Sequence, residues 1–181
     1  MKKDYIETKR CILRPFKLTD LEDFYEYARM EGLGIHAGWS AHKSIEESKA
    51  ILTNWLKQEE IEEYAIEYKD NNKVIGAFGI HNKKDRAVNS REMGYVLSKE
   101  YWNQGIMSEV AKAMISYAFE NLGIELLTIR HYDYNIASRR VIEKAGFKFE
   151  GILRKATKNG EGIIVDSYSY SLLKEEWSKI S

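Results

Sequence analysis

One cysteine, Cys11, and one proline, Pro15, are all that 181 residues hold of either type. A lone cysteine rules out an internal disulfide and fits a reducing compartment. It stands in "RCILRPF", an apolar stretch with no histidine beside it. That context reads as a small core residue rather than a nucleophile. Charge of one sign is also missing: Lys+Arg and Asp+Glu both number 28, a formal net charge of +0. No whole-chain excess draws the protein to nucleic acid or to an anionic membrane. No apolar run approaches the ~18 residues of a membrane span, and "MKKDYIETKRC" lacks the apolar centre of a signal peptide. These absences lead to the expectation of a cytoplasmic protein with no nucleic-acid and no membrane partner. The four histidines and single cysteine match no zinc spacing, so no metal is expected. Neither a Walker loop nor the dinucleotide pattern Gly-x-Gly-x-x-Gly occurs.

What is present is apolar patterning, with 44% hydrophobic residues, enough for one well-buried core. The expected organisation is a single domain over residues 1–181, without repeats, linker or low-complexity segment. "CILRPF" reads as a strand that Pro15 ends. "LTDLEDFYEYAR" reads as a helix with Thr19 as cap and Glu22 completing a capping box. "HKSIEESKAILTNWLKQEE" repeats the device with Ser44 and Glu47. "EYAIEY" and "KVIGAFGI", joined by "KDNN", predict a hairpin, and "REMGYVL" the next strand. A helix from about Ser108 to Leu122 follows, with one wide apolar stripe ended at Gly123. "IELLTIRHY" is a strand and "NIASRRVIEKAG" a short helix capped by Asn135 and stopped at Gly146. "FKFEGILRKAT" and "IIVDSYSYSLL" form a last hairpin. The predicted class is α/β (α+β), a mixed and mostly antiparallel central sheet flanked by helices.

The seam "YWNQGIMSEV" carries more polar equipment than a plain turn needs. A helix N-terminus offers unpaired N–H groups and a partial positive charge, both suited to phosphate. Gly105 lets a ligand approach the backbone closely, and Ser108 can cap the helix or bond a phosphate oxygen. A simple cap with a turn glycine is the alternative, and this stretch alone does not choose.

The longer stretch "EMGYVLSKEYWNQGIMSEVAKAMISYAF", followed by "NIASRRVIEKAGF", resembles the GCN5-related N-acetyltransferases, over roughly Glu7 to Leu173. Within them it is most similar to ribosomal-protein N-terminal alanine and serine acetyltransferases, through Trp102, Gly105, Ile106, Met107, Ser108 and Glu109. Asn103 stands where that subgroup has its first loop glycine. Ile142 stands near the place of a tyrosine that protonates the departing thiolate in many members.

The resemblance implies acetyl-CoA as cosubstrate, held between two splayed parallel strands, "REMGYVL" and "ELLTIRHY". The pantetheine arm would pair with Tyr95, Val96 and Leu97, and the diphosphate would sit on the amides of Gln104, Gly105, Ile106, Met107 and Ser108. An amine then attacks the thioester directly. The resemblance gives Ser138 the task of serving the thiolate and brings Asn135 to the pantetheine. A first-turn serine and a plain helix cap are the alternatives. Arg139, Arg140 and Lys144 form a local basic patch, either near the phosphates or a solvated helix face.

The amine must be neutral to attack. A free α-amine, with a pKa near 8, is roughly a tenth neutral at pH 7, whereas lysine is less than about a thousandth neutral. An α-amine acceptor therefore needs only weak help, for which Glu92 is the candidate base, against a solvated strand carboxylate. On the acceptor side, His36 and Trp39 lie in "GLGIHAGWSAH", and His81 and His131 end strands aimed at the same cleft. A protein N-terminus is the subgroup's usual acceptor. A small amine, which predicts an enclosed and acidic pocket, is the rival, and a non-catalytic coenzyme-A-binding sensor is a third reading. A homodimer is compatible with all three.

Overall fold

The computed structural model describes residues 5–58, 62–82 and 85–179. The elements in chain order are β1 (Ile6–Glu7), β2 (Cys11–Pro15), α1 (Leu21–Ala28), α2 (Ile45–Trp55), β3 (Glu63–Tyr68), β4 (Lys73–Asn82) and β5 (Ser90–Leu97). Then come α3 (Ile106–Asn121), β6 (Leu126–Tyr132), α4 (Ile136–Lys144), β7 (Lys148–Lys158), β8 (Ile164–Leu173) and α5 (Lys174–Trp177). The strands form one eight-stranded sheet in the order β1-β2-β3-β4-β5-β6-β8-β7. Every neighbouring pair is antiparallel except β5 and β6. Mixed α/β architecture and the parallel pair both agree with the expectation.

Alternation along the strands sends side chains to two cores. One face packs under α3: Phe78, Ile80, Met93 and Leu127 meet Val110, Met114, Ala118 and Phe119. Met114 is wholly buried. Burying such a side chain contributes about 1.5–3 kcal/mol. Cys11 belongs to this core, where burial pushes its thiol up to about 11. It is a packing residue, as its sequence context suggested. The other face packs under α1 and α2, where Phe16, Phe24, Tyr27 and Leu52 cover Ala65 and Ala77, with Trp39 and Trp55 at the margin.

One cap differs from expectation. Thr19 does not cap α1; the residue in that place is Asp20, which takes no side-chain cap bond either. Its carboxylate instead accepts from both terminal nitrogens of Arg14, at 2.8 and 2.9 Å, and from the Lys17 amide at 2.8 Å. Arg14 also donates to Glu67 at 2.5 Å. A buried arginine thus ties the start of α1 to β3. Ser44 caps α2 as expected, accepting from the Glu47 amide at 3.3 Å.

Candidate active site

β5 and β6 pair only from Ser90↔Leu126 to Met93↔Ile129. Beyond Met93 their pairing stops, and a cavity of about 810 Å³ opens between Met93–Leu97 on one side and Ile129–Tyr132 on the other. The backbone groups of Gly94 to Leu97 on this side lack a strand partner from β6, so an extended ligand can take their place.

The loop after β5 is built around two left-handed residues, Asn103 (φ 59°) and Gly105 (φ 75°). Asparagine tolerates that region better than other non-glycine residues, which explains Asn103 in a place where glycine was expected. The helix starts at Ile106, two residues earlier than the pattern suggested, with Gly105 in the cap position. A Cβ on Gly105 would find only an Arg10 nitrogen within 4 Å, at 3.8 Å, so the space beside this backbone is open. Ile106 and Met107 both line the cavity yet bury their side chains in the core. What they offer a ligand is backbone. Ser108 lines the same cavity; Gln104 turns its amide nitrogen to the Glu100 carbonyl.

Arg10 is a site residue that sequence reasoning missed. Its guanidinium donates to the Gln104 carbonyl and to Glu109, each at 2.8 Å, and its amide donates to Glu109 as well. Burial pushes the Glu109 carboxyl up, but Thr8 and Arg10 outweigh it, so the group lies below its usual range. A carboxylate in the first turn is thereby held as an anion, neutralised by Arg10, and the loop is braced from β2's side. Trp102 closes the other end, donating to the Leu97 carbonyl at 2.6 Å.

Across the cavity, Asn135 caps α4 by accepting from the Ser138 amide at 3.0 Å. The Ser138 hydroxyl lies 3.0 Å from the Tyr95 hydroxyl. Burial raises the Tyr95 phenol to about 12, against the lowering effect of Ser138, so it stays protonated at neutral pH. Ile142 is buried in the core and does not reach the cavity. The phenol at this site comes from β5 instead of α4. Arg140 and Lys144 line the cavity, while Arg139 turns aside to Glu143 at 2.8 Å.

The remaining candidates are distributed around this centre. Glu92 lines the cavity, 3.7 Å from Arg130 Nε. His36 lines the larger cavity against Trp102 and Tyr134, and burial, then Lys99, lowers its pKa. His131 is buried; one ring nitrogen lies 2.7 Å from the Tyr132 carbonyl and the other 3.3 Å from the Tyr170 hydroxyl. His81 and Trp39 line a second cavity of about 310 Å³ on the α1/α2 side, and His81 lines both. Among the described residues no group of three or more His, Cys, Asp or Glu side chains is arranged to hold a metal ion.

A parallel pair that parts, a helix start led by Gly105 and the Tyr95–Ser138 hydroxyl pair thus line one cavity. The model of the acetyltransferase (GNAT) domain matches residues 10–148, and the chain belongs to that family. Relatives include two from Bacillus subtilis (strain 168). The "Uncharacterized N-acetyltransferase YnaD" is 29% identical over 96% of this chain and 99% of its own length. The "Uncharacterized N-acetyltransferase YoaA" is 31% identical over 93% and 96%. Among solved structures, Mycobacterium smegmatis RimJ in complex with CoA-disulfide shares the fold with a TM-score of 0.84, at 18% identity, over 96% of this chain and 88% of that one. The protein is therefore an acyltransferase, and the family implies acetyl transfer from acetyl-CoA to an amine.

Proposed function

We propose that the protein acetylates a primary amine by direct attack on the thioester, without an acetyl-enzyme. Acetyl-CoA supplies the activated acetyl group. The pantetheine arm would lie along the free edge of β5 at Tyr95, Val96 and Leu97. The diphosphate would rest on the amides of Gln104 to Ser108, with Asn135 beside the arm.

The observation that carries the reading is the hydroxyl pair of Ser138 and Tyr95, 3.0 Å apart, facing the gap where β5 leaves β6. A departing thiolate in that gap meets a proton donor, Ser138, backed by a phenol that holds its own proton. This pair supports turnover over a coenzyme-A sensor, which has no use for a proton relay beside the sulfur. The amides near Val96 and Leu97 are suited to receive the oxyanion. Glu92, on the same cavity wall, is a second-face carboxylate for the amine side.

Titration calorimetry with acetyl-CoA, followed by thiol release with amines, tests this. Binding with release supports the transferase. Binding without release from any amine supports the sensor. No binding removes the cradle.

A further inference from the structure

Among the groups that line the second cavity are Tyr27 and Glu63, to which the proposed transfer gives no task, and the imidazoles of His42 and His81. Tyr27 is only 2% exposed, lines this cavity, and its hydroxyl has no hydrogen-bond partner. A buried hydroxyl without a partner is costly, so it marks a place where a ligand supplies one. Glu63, also in the lining, has His81 Nε2 at 3.3 Å. After burial, the charge of Glu63 and then that of Asp20 raise the Tyr27 phenol, and Tyr27 and Glu63 line the same chamber. Phe24, Trp39 and Trp55 form an aromatic part of the remaining wall, with the His42 imidazole and the aliphatic Ile51, Ala77 and Val96 beside them.

The sheet makes room for this arrangement. Glu63, Gly79 and Gly94 lie opposite one another across β3, β4 and β5. A Cβ on Gly79 would stand 2.3 Å from His81 Nε2 and 3.1 Å from a Glu63 oxygen. Only glycine lets the imidazole lie back along the sheet to reach Glu63. Ala37, His81, Gly94, Tyr95 and Val96 line both cavities, so the chamber meets the cofactor cavity beside β5.

We infer that this chamber receives the acceptor, that Glu63 and Tyr27 bind its ammonium, and that the acceptor is a compact arylalkyl amine. The inference rests on the transferase reading and names its substrate class. An ammonium has three N–H donors, enough for a carboxylate and a phenol oxygen together. Aromatic walls favour both a ring and a cation. A volume of 310 Å³ equals roughly ten waters at ~30 Å³ each, which suits one small molecule. The loop over the chamber is pinned from the opposite side. Ser40 donates to the Gly160 carbonyl at 2.5 Å, and the Tyr134 hydroxyl to the Ile35 carbonyl at 3.1 Å.

The protons balance. The ammonium gives one proton to Glu63, and the freed lone pair forms the C–N bond. The C–S bond breaks and the sulfur takes the Ser138 proton. The second proton lost from nitrogen restores the Ser138–Tyr95 pair, and the Glu63 proton leaves to solvent. One proton is released per turnover.

The test is thiol release by the full chain with acetyl-CoA and five probes: 2-phenylethylamine, tryptamine, spermidine, and hexapeptides beginning with alanine and serine. The expected kcat/KM is at least tenfold higher for the two arylalkyl amines than for the others. Glu63→Gln should lose at least tenfold in kcat/KM on tryptamine while its affinity for acetyl-CoA, read by calorimetry, is unchanged. Ala37→Phe, at an exposed position on the shared wall, should raise KM for tryptamine without unfolding the core. Faster turnover of a peptide or spermidine, or an unaltered Glu63→Gln, overturns the inference and leaves the transferase intact. Loss of acetyl-CoA binding in the wild type removes the transferase reading itself.

Discussion

The Tyr95 hydroxyl meets the Ser138 hydroxyl at 3.0 Å, joining a β5 side chain to the first turn of α4 across the open end of the sheet. Two elements distant in sequence thus bring their hydroxyls together, and the proposed transfer uses them as one proton-handling pair. The pair forms because Tyr95 points into the sheet's α3 face, where Phe78 stacks on it at 5.8 Å, and only its hydroxyl extends to α4.

Ser138→Ala should therefore lower kcat by about 10²-fold or more, within the usual range for a positioned acid. Tyr95→Phe should lower it less, because Ser138 stays in place but loses its partner. Neither should change the Kd for acetyl-CoA much. Steady-state rates with calorimetry check both. Wild-type turnover by Ser138→Ala would end the acid assignment.

Gly105 adopts φ 75°, which a β-branched residue resists by about 1–2 kcal/mol. Its Cβ direction is open inside the protein, with the nearest atom at 3.8 Å. Gly105→Val should consequently fold but bind acetyl-CoA at least tenfold more weakly. Gly105→Ala should fall between. Calorimetric Kd values for the two variants decide this, and unchanged affinity would move the diphosphate elsewhere.

Much of this site was legible before any coordinates. Gly105 and the Asn135 cap follow from local pattern, because turns and caps act over a few residues, whereas the parting strands were implied only by the family resemblance. Arg10 and Glu63 were not legible. Arg10 meets Glu109 across 99 positions of sequence. Glu63 reads as an ordinary strand carboxylate in "EYAIEY"; only the folded sheet sets it behind His81 and beneath α1. Thr19 failed as a cap for a related reason. The local capping-box pattern was outweighed by a buried arginine six residues before Asp20. Tyr27 carried no signal in the sequence, because its hydroxyl's lack of a partner is a property of packing alone.

Arg14 and Asp20 are 6% and 7% exposed in their side chains and share two hydrogen bonds. Removing one partner of such a buried pair leaves an uncompensated charge, at a cost of about 3–5 kcal/mol. Arg14→Leu should lower the midpoint of urea unfolding accordingly, because it strands both Asp20 and Glu67. Asp20→Asn should cost less, since an amide still accepts from the guanidinium. Equal midpoints for wild type and Arg14→Leu would show that the pair contributes little net stability.

Glu63 links the second cavity, the proposed acceptor chamber, to stability through pH. Burial raises its carboxyl from 4.5 to about 7, with His81 lowering it and Glu62 raising it. Tyr27 of α1 lines the same cavity, and the Glu63 charge raises its phenol. A raised acid means that the folded chain binds the proton more tightly than the unfolded chain. Its stabilising contribution is full below about pH 4.5 and is lost as pH rises through about 7. The ceiling on that loss is roughly 3 kcal/mol, reduced by partial exposure. Glutamine cannot ionise, so Glu63→Gln should be more stable than wild type at pH 8, with the gap narrowing towards pH 5. Thermal melts at pH 5, 7 and 8 measure it. A variant that gains stability at pH 8 while losing turnover is what a carboxylate retained for chemistry predicts. A variant less stable at every pH would instead make Glu63 a structural partner of His81.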